Sequence, residues 1–188
     1  MSLKGKRLLL GLTGGIACYK VPCLVRALRK AGAETRVVMT PAATQFITPL
    51  TMETVSGNPV AIELFPPELF VATRHIDLAS WPDMVVIAPA TANFLGKAAC
   101  GISDDLLTTI ICATSRPVMV APAMNPEMWK HPATQKNVAY LKEIGYHFVG
   151  PARGEMACDE WGEGRMVEPD DLFAAIEAHL AKAPKKKV

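Results

Sequence analysis

Arg7-Leu-Leu-Leu-Gly-Leu-Thr-Gly-Gly-Ile-Ala-Cys-Tyr-Lys-Val-Pro-Cys-Leu-Val-Arg-Ala-Leu-Arg-Lys-Ala31 decides the fold. An apolar run of strand length, Arg7 to Leu12, enters the glycine turn Gly11-Leu-Thr-Gly-Gly-Ile16. Beyond it, Val21, Leu24, Val25 and Leu28 fall on one helical face, with Arg26, Arg29 and Lys30 on the other. Strand, glycine turn and helix open a βαβ unit. The basic residues Lys4, Lys6 and Arg7 before an apolar stretch resemble a signal peptide, but direct continuation into an amphipathic helix excludes that reading.

The same alternation continues along the chain. Strand-like runs recur at Glu34 to Thr40, Asp83 to Pro89, Pro117 to Pro122 and Tyr146 to Gly150. Helical patterns cover Ile16 to Ala31, Asp104 to Ala113, Glu127 to Ile144 and Asp170 to Ala183, with Gly32 and Gly145 at helix-ending positions. Met84-Val-Val-Ile-Ala88 and Val118-Met-Val-Ala121 are apolar throughout, as central strands covered on both faces must be. Thr48 to Ala79, broken by Pro49, Pro59, Pro66 and Pro67, reads as a short helix, an edge strand and a long connection. The predicted fold is α/β: a single-domain, doubly wound parallel sheet, Rossmann-like or flavodoxin-like, with helices on both faces. It spans residues 1–183 and leaves 184–188 as a basic tail.

Composition narrows the function. The chain has 188 residues, a net charge of +2 and no dense basic face, which argues against nucleic acid as the main partner. Its apolar runs fall short of the roughly 18 residues of a membrane span, so a soluble protein is expected. Five cysteines, at 18, 23, 100, 112 and 158, lack the paired spacing of a zinc site and point to the reducing cytoplasm. Cys18, Cys23, Cys100 and Cys112 read as small buried hydrophobes. His131, His147 and His179 show no ligand-like arrangement, so no metal is expected.

Ligands of a doubly wound sheet bind outside the carboxyl ends of its strands, and several motifs fall there. The turn at Gly14, Gly15 and Ile16 lets backbone amides approach a phosphate. Its spacing is not G-x-G-x-x-G, and the second strand ends in Val38-Met-Thr40 rather than an acidic residue, which favours a mononucleotide over a dinucleotide. Ala88-Pro-Ala-Thr-Ala-Asn93 puts small and hydrogen-bonding residues at the same edge, and Ser103 or Asp104 caps the next helix. Asn125, before Pro126, reads equally as a helix cap and as a ligand contact. His75 lies in the irregular connection, either an ordinary surface residue or a proton carrier near neutral pH. Cys158 stands apart from the other thiols. It sits in Gly154-Glu-Met-Ala-Cys-Asp-Glu-Trp-Gly-Glu-Gly-Arg-Met166, flanked by Arg153 and Arg165, where glycines permit a flap and cations suit a reactive thiol.

Together these motifs resemble the flavin-containing cysteine decarboxylases, over nearly the whole chain. The residues that carry the resemblance are Gly14-Gly-Ile16, His75, Pro89-Ala-Thr-Ala-Asn93, Asp105-Leu-Leu107, Pro122-Ala-Met-Asn-x-x-Met128, Ala157-Cys158 and Gly164-Arg-Met166. The resemblance is strongest to the branch acting on phosphopantothenoylcysteine in coenzyme A biosynthesis. It implies FMN as cofactor, contacted by Gly14, Gly15, Ile16, Thr40, Phe46, Thr91, Asn93 and Ser103. It implies His75 and Cys158 as catalytic residues, and Asn125, Met128, Ala157 and Arg165 as substrate contacts. The implied reaction oxidises the cysteinyl thiol to a thioaldehyde, releases carbon dioxide to give an enethiolate, and reduces that to 4'-phosphopantetheine with a proton from Cys158. A homo-oligomer is implied as well, a trimer or a dodecamer of trimers with the flavin site between subunits, and so is a synthetase domain or partner. Alternatives are a decarboxylase of peptidyl cysteine, a flavin-binding regulatory subunit and, less well matched by Asn125 and Cys158, a flavin prenyltransferase.

Overall fold

A computed structural model describes residues 2–65, 73–155 and 161–182. The main sheet has six parallel strands in the order β3-β2-β1-β4-β5-β6: β1 Arg7–Leu12, β2 Glu34–Met39, β3 Val60–Ala61, β4 Met84–Ala90, β5 Val118–Pro122 and β6 His147–Phe148. This is the Rossmann order of the two doubly wound arrangements. Strand order reverses between β1 and β4, which pair from Leu8 opposite Met84 to Gly11 opposite Ile87.

Alternation along the strands divides the core in two. Leu8, Leu10 and Leu12 pack with Val21, Leu24, Val25 and Leu28 of α1 (Val21–Lys30) and with Leu172, Ile176 and Leu180 of α8 (Pro169–Lys182). Leu9, Val85 and Ile87 face the other way, against Leu78 of α3 (Arg74–Ser80), Phe94 and Leu95 of α4 (Ala92–Cys100), and Leu107, Ile110 and Ile111 of α5 (Leu106–Ala113). Gly11 also faces this second layer, and a Cβ there would lie 2.6 Å from Leu107 Cδ1. The remaining helices are α2 (Pro49–Ser56), α6 (Pro126–Lys130) and α7 (Pro132–Glu143).

Several local expectations are revised. The helix expected from Ile16 begins as a 3-10 turn, Ile16–Lys20, before α1. That expected from Glu127 to Ile144 is two helices, because Pro132 has no amide to donate across the break and His131 instead caps α7, its Nδ1 accepting from Ala133 N–H at 3.2 Å. Residues 92–100 form α4, where no helix was expected. The cap of α5 is neither Ser103 nor Asp104 but Asp105, in a reciprocal capping box with Thr108. His75 lies in the first turn of α3 rather than in irregular chain. Cys18 is buried as expected, whereas Cys23, Cys100 and Cys112 are exposed. The segment read as a glycine-rich flap contains an antiparallel ribbon, β7 Ala152–Glu155 and β8 Trp161–Arg165, joined through residues 156–160, which lie outside the described residues. The tail 184–188 also lies outside them. Among the described residues no helix is long and apolar enough to cross a membrane.

Candidate functional site

At the switch point the loops after β1 and β4 are joined through Thr13. Its hydroxyl donates to Pro89 O at 2.6 Å and accepts from Thr91 N–H at 3.0 Å, and its own N–H donates to Pro89 O at 3.3 Å. Thr13 is buried, so these bonds replace water and fix the loops together. Thr91 then caps α4, its hydroxyl accepting from Phe94 N–H at 3.4 Å. The buried thiol of Cys18 donates to Thr13 O at 3.2 Å, and burial pushes its pKa up, leaving it inert.

A cavity of about 460 Å³ opens here, within the roughly 300–1,000 Å³ usual for small-molecule sites. Gly14, Gly15, Ile16 and Thr91 line it from the sheet edge, Asn125 and Met128 from the start of α6, and Gly164 and Arg165 from β8. Close approach requires two of the glycines. A Cβ on Gly14 would meet Ala42 Cβ at 2.5 Å, and one on Gly164 would meet Met124 O at 2.2 Å. The second strand of the ribbon is thereby seated on the loop after β5, where Met124 N–H donates to Gly164 O at 2.9 Å.

Asn125 serves as the cap of α6: its Oδ1 accepts from Glu127 N–H at 2.8 Å and from Met128 N–H at 3.4 Å. The capping reading is met, and the capped amide also lines the cavity. With the oxygen engaged, its chemistry toward an anionic ligand is through the amide nitrogen.

Three charged residues at the site, Lys20, Glu155 and Glu168, were missed from sequence. Lys20 lines the cavity at only 6% exposure, its Nζ donating to Glu168 Oε1 at 2.8 Å and to Met166 O at 3.1 Å. Arg165 donates to the same Glu168 oxygen. The hydrogen bond from Lys20, more than any other influence, holds the Glu168 carboxyl below its usual range. A signal existed in the sequence: Lys20 stands beside the apolar face of Ala17, Val21 and Leu24, where a lysine needs a built partner.

The other expected site residues divide. Thr40 closes a turn, its hydroxyl accepting from Ala43 N–H at 3.2 Å, and Phe46, Asn93 and Ser103 are exposed; none of the four lines the cavity. His75 is half-buried on α3 and does not line it either. Ala157 and Cys158 lie outside the described residues. Among the described residues no cluster of three or more His, Cys, Asp or Glu could hold a metal ion.

A doubly wound sheet with a glycine turn and a ligand-sized cavity at its switch point defines a nucleotide-cofactor-binding class. Within that class, the chain belongs to the Flavoprotein family, whose model matches residues 1–181. It is similar to the coenzyme A biosynthesis bifunctional protein CoaBC of Vibrio cholerae, 52% identical over 180 residues covering 96% of this chain and 45% of that protein. Its likeness to CoaBC of Escherichia coli K12 is 47% over 181 residues, 96% of this chain and 45% of that one. The chain thus spans under half the length of these relatives. Among solved structures it resembles a Cys→Ser variant of PPC decarboxylase complexed with pantothenoylaminoethenethiol, with TM-score 0.81 and 32% identity over 94% of this chain and 99% of that one. It also resembles the FMN-dependent cysteine decarboxylase SpaF, with TM-score 0.82 and 37% identity over 96% and 98%.

Proposed function

We propose that this chain is an FMN-dependent decarboxylase that converts 4'-phosphopantothenoylcysteine to 4'-phosphopantetheine in the cytoplasm. The observation that carries the reading is the meeting, on one cavity, of the Gly14-Gly15-Ile16 turn and Thr91 with Asn125, Met128 and Arg165. The side-chain-free cradle at Gly14, the apolar wall of Ile16, Ala123 and Met124, and the volume fit a flavin and part of a second ligand. Gly14, Gly15, Ile16 and Thr91 would hold the flavin, and Thr40, Phe46, Asn93 and Ser103, which lie outside this cavity, would complete its contacts where it extends beyond. When bound, FMN would supply a reversible two-electron carrier that takes a hydride equivalent from the substrate and returns it to the enethiolate.

The chain's own groups orient and protonate. Asn125, fixed by its capping bonds, offers its amide nitrogen to the substrate carboxylate, which sets the carbon–carboxyl bond before carbon dioxide leaves. Met128 and Ala157 shape the apolar side of the substrate. Cys158 delivers the proton that completes the thiol product from the enethiolate. His75 acts in proton transfer at the thiol.

Because His75 does not line its own copy's cavity, the reading includes a homo-oligomer, a trimer or dodecamer of trimers, in which one copy's His75 serves the next copy's site. Exposed Ile16, Tyr19, Leu50 and Met128 supply apolar surface for such contacts. A synthetase region or partner, as in the bifunctional relatives, would deliver the substrate.

The test is carbon dioxide release from phosphopantothenoylcysteine by the yellow protein beside a Cys158→Ser variant. The variant should release carbon dioxide without forming phosphopantetheine. A flavin-bound protein inert here but active on a peptide ending in cysteine would transfer the assignment to peptide decarboxylation. Mixing His75→Asn and Asn125→Asp variants, each inactive alone, should restore part of the activity if sites are shared, and none if they are not.

A further inference from the structure

Two cations meet on one carboxylate at the cavity edge. Lys20, in the 3-10 turn after the glycines, donates to Glu168 Oε1 at 2.8 Å, and Arg165, at the end of β8, donates to the same oxygen. Lys20 is buried and also holds Met166 O, so it is fixed, and through it so is Glu168. Arg165 is different. It is part exposed, leaves the ribbon at the cavity rim, and lies across Gly154 of the opposite arm, where a Cβ would stand 3.3 Å from its Nη1.

Resting on the decarboxylase reading, we propose that Glu168 is a positioning residue that, anchored by Lys20, holds the Arg165 guanidinium at the cavity rim to receive an anionic group of the substrate. A guanidinium carries five donors in a planar fork. The contact to Glu168 is made through Nη2, so one nitrogen of the fork is held while Nε and Nη1 lie outside that pair. Position matters because a second carboxylate, Glu155, lines the same cavity from the other arm of the ribbon. Without Glu168, the negative charge of Glu155 on the same cavity would compete with the ligand for the Arg165 guanidinium. Arg153, the remaining cation of the ribbon, is engaged with the Trp161 ring at 4.4 Å and does not substitute.

Glu168→Gln in the flavin-loaded protein tests this: the amide oxygen can still accept from Lys20, and calorimetry on the variant registers any stability lost because buried Lys20 no longer has its counter-charge. The expected result is a rise of about tenfold in KM with kcat within about twofold, the split that a lost orientation of a binding group produces. Equal KM values for variant and wild type would overturn the proposal, as would a loss confined to kcat. Phosphopantothenoylcysteine and its dephosphorylated form separate the two anions: a KM effect only with the former assigns Arg165 to the phosphate, and an equal effect with both assigns it to the carboxylate end. Arginine modification by phenylglyoxal, mapped by mass spectrometry, reads the clamp without turnover. Arg165 should react several-fold faster in Glu168→Gln, and an unchanged rate would overturn the clamp even if wild type proved inactive. Wild-type inactivity beside a faster-reacting Arg165 would instead remove the decarboxylase reading and leave the clamp standing.

Discussion

The two walls of the cavity are held by different physics. On the sheet side, Gly14, Gly15 and Thr91 sit on loops whose strands are buried on both faces, and Thr13 ties those loops with three hydrogen bonds. On the ribbon side, β7 and β8 carry Arg-Gly-Glu and Gly-Glu-Gly; the ribbon is tied to the rest of the fold by the backbone bond between Met124 and Gly164 and by the Arg165–Glu168 ion pair, while Arg153 and Trp161 hold its two arms to each other. Burial of a leucine is worth several times an exposed ion pair. A rigid wall suits a cofactor that stays, and a lightly held one suits a substrate that must enter and leave.

The largest effect should follow from breaking the rigid wall beneath its surface. Leu10 is fully buried in the central strand, and Leu10→Ala should cost about 2–5 kcal/mol. Calorimetry should show the melting temperature falling by roughly 2–4 °C per kcal/mol, with flavin lost in the same transition. Next is Gly14→Ala, whose Cβ would stand 2.5 Å from Ala42 Cβ. Overpacking of this kind costs about 1–3 kcal/mol, which titration of the apoprotein with FMN should read as a tenfold to hundredfold loss of affinity. Thr13→Val, similar in shape, leaves Thr91 N–H without its acceptor at a cost of about 1–3 kcal/mol. It should weaken flavin binding by about tenfold while leaving KM for substrate nearly unchanged.

The contrast also explains what could be read in advance. Strands, crossover helices and the glycine turn were legible because burial imposes periodicity on sequence, as in Val21, Leu24, Val25 and Leu28. Gly14, Gly15, Ile16, Thr91 and Asn125 follow once the sheet edge is placed, whereas Met128 and Arg165 entered only through the family resemblance; the structure brings all seven to one cavity. The ribbon was not legible as strands, since Arg153-Gly-Glu155 and Trp161-Gly-Glu-Gly-Arg165 bury no continuous face and pair through the backbone. Helix α4 was missed because Ala92, Gly96, Ala98 and Ala99 give little contrast between faces, and only Phe94 and Leu95 are fully buried. The apolar face beside Lys20 signals that it needs a partner, but Glu168 stands 148 positions away and no local pattern names it.

Asn125 stands where the two walls meet, and a single substitution separates its two roles. Aspartate caps helices as well as asparagine does, so Asn125→Asp should leave the melting temperature within about 1 °C. On the proposed reading it replaces an N–H donor to the substrate's carboxylate by a negative charge, and kcat/KM should then fall at least about a hundredfold from a lost hydrogen bond plus like-charge repulsion. A matched fall in stability would mean that the capping role dominates.

The smallest effect tests whether the ribbon belongs to the cooperative fold at all. Arg153 lies over the Trp161 ring at 4.4 Å, and Trp161 is 65% exposed. An exposed contact of this type is worth about 0.5–1 kcal/mol. If the ribbon opens independently of the sheet, that energy is felt only locally. Arg153→Ala should then leave the calorimetric transition unchanged while hydrogen exchange in residues 152–155 and 161–165 quickens by about twofold to fivefold. If the melting temperature falls instead and exchange rises throughout the chain, the ribbon folds as one unit with the sheet. The substrate side of the cavity would then be as rigid as the cofactor side, and the division of labour between the two walls would be lost.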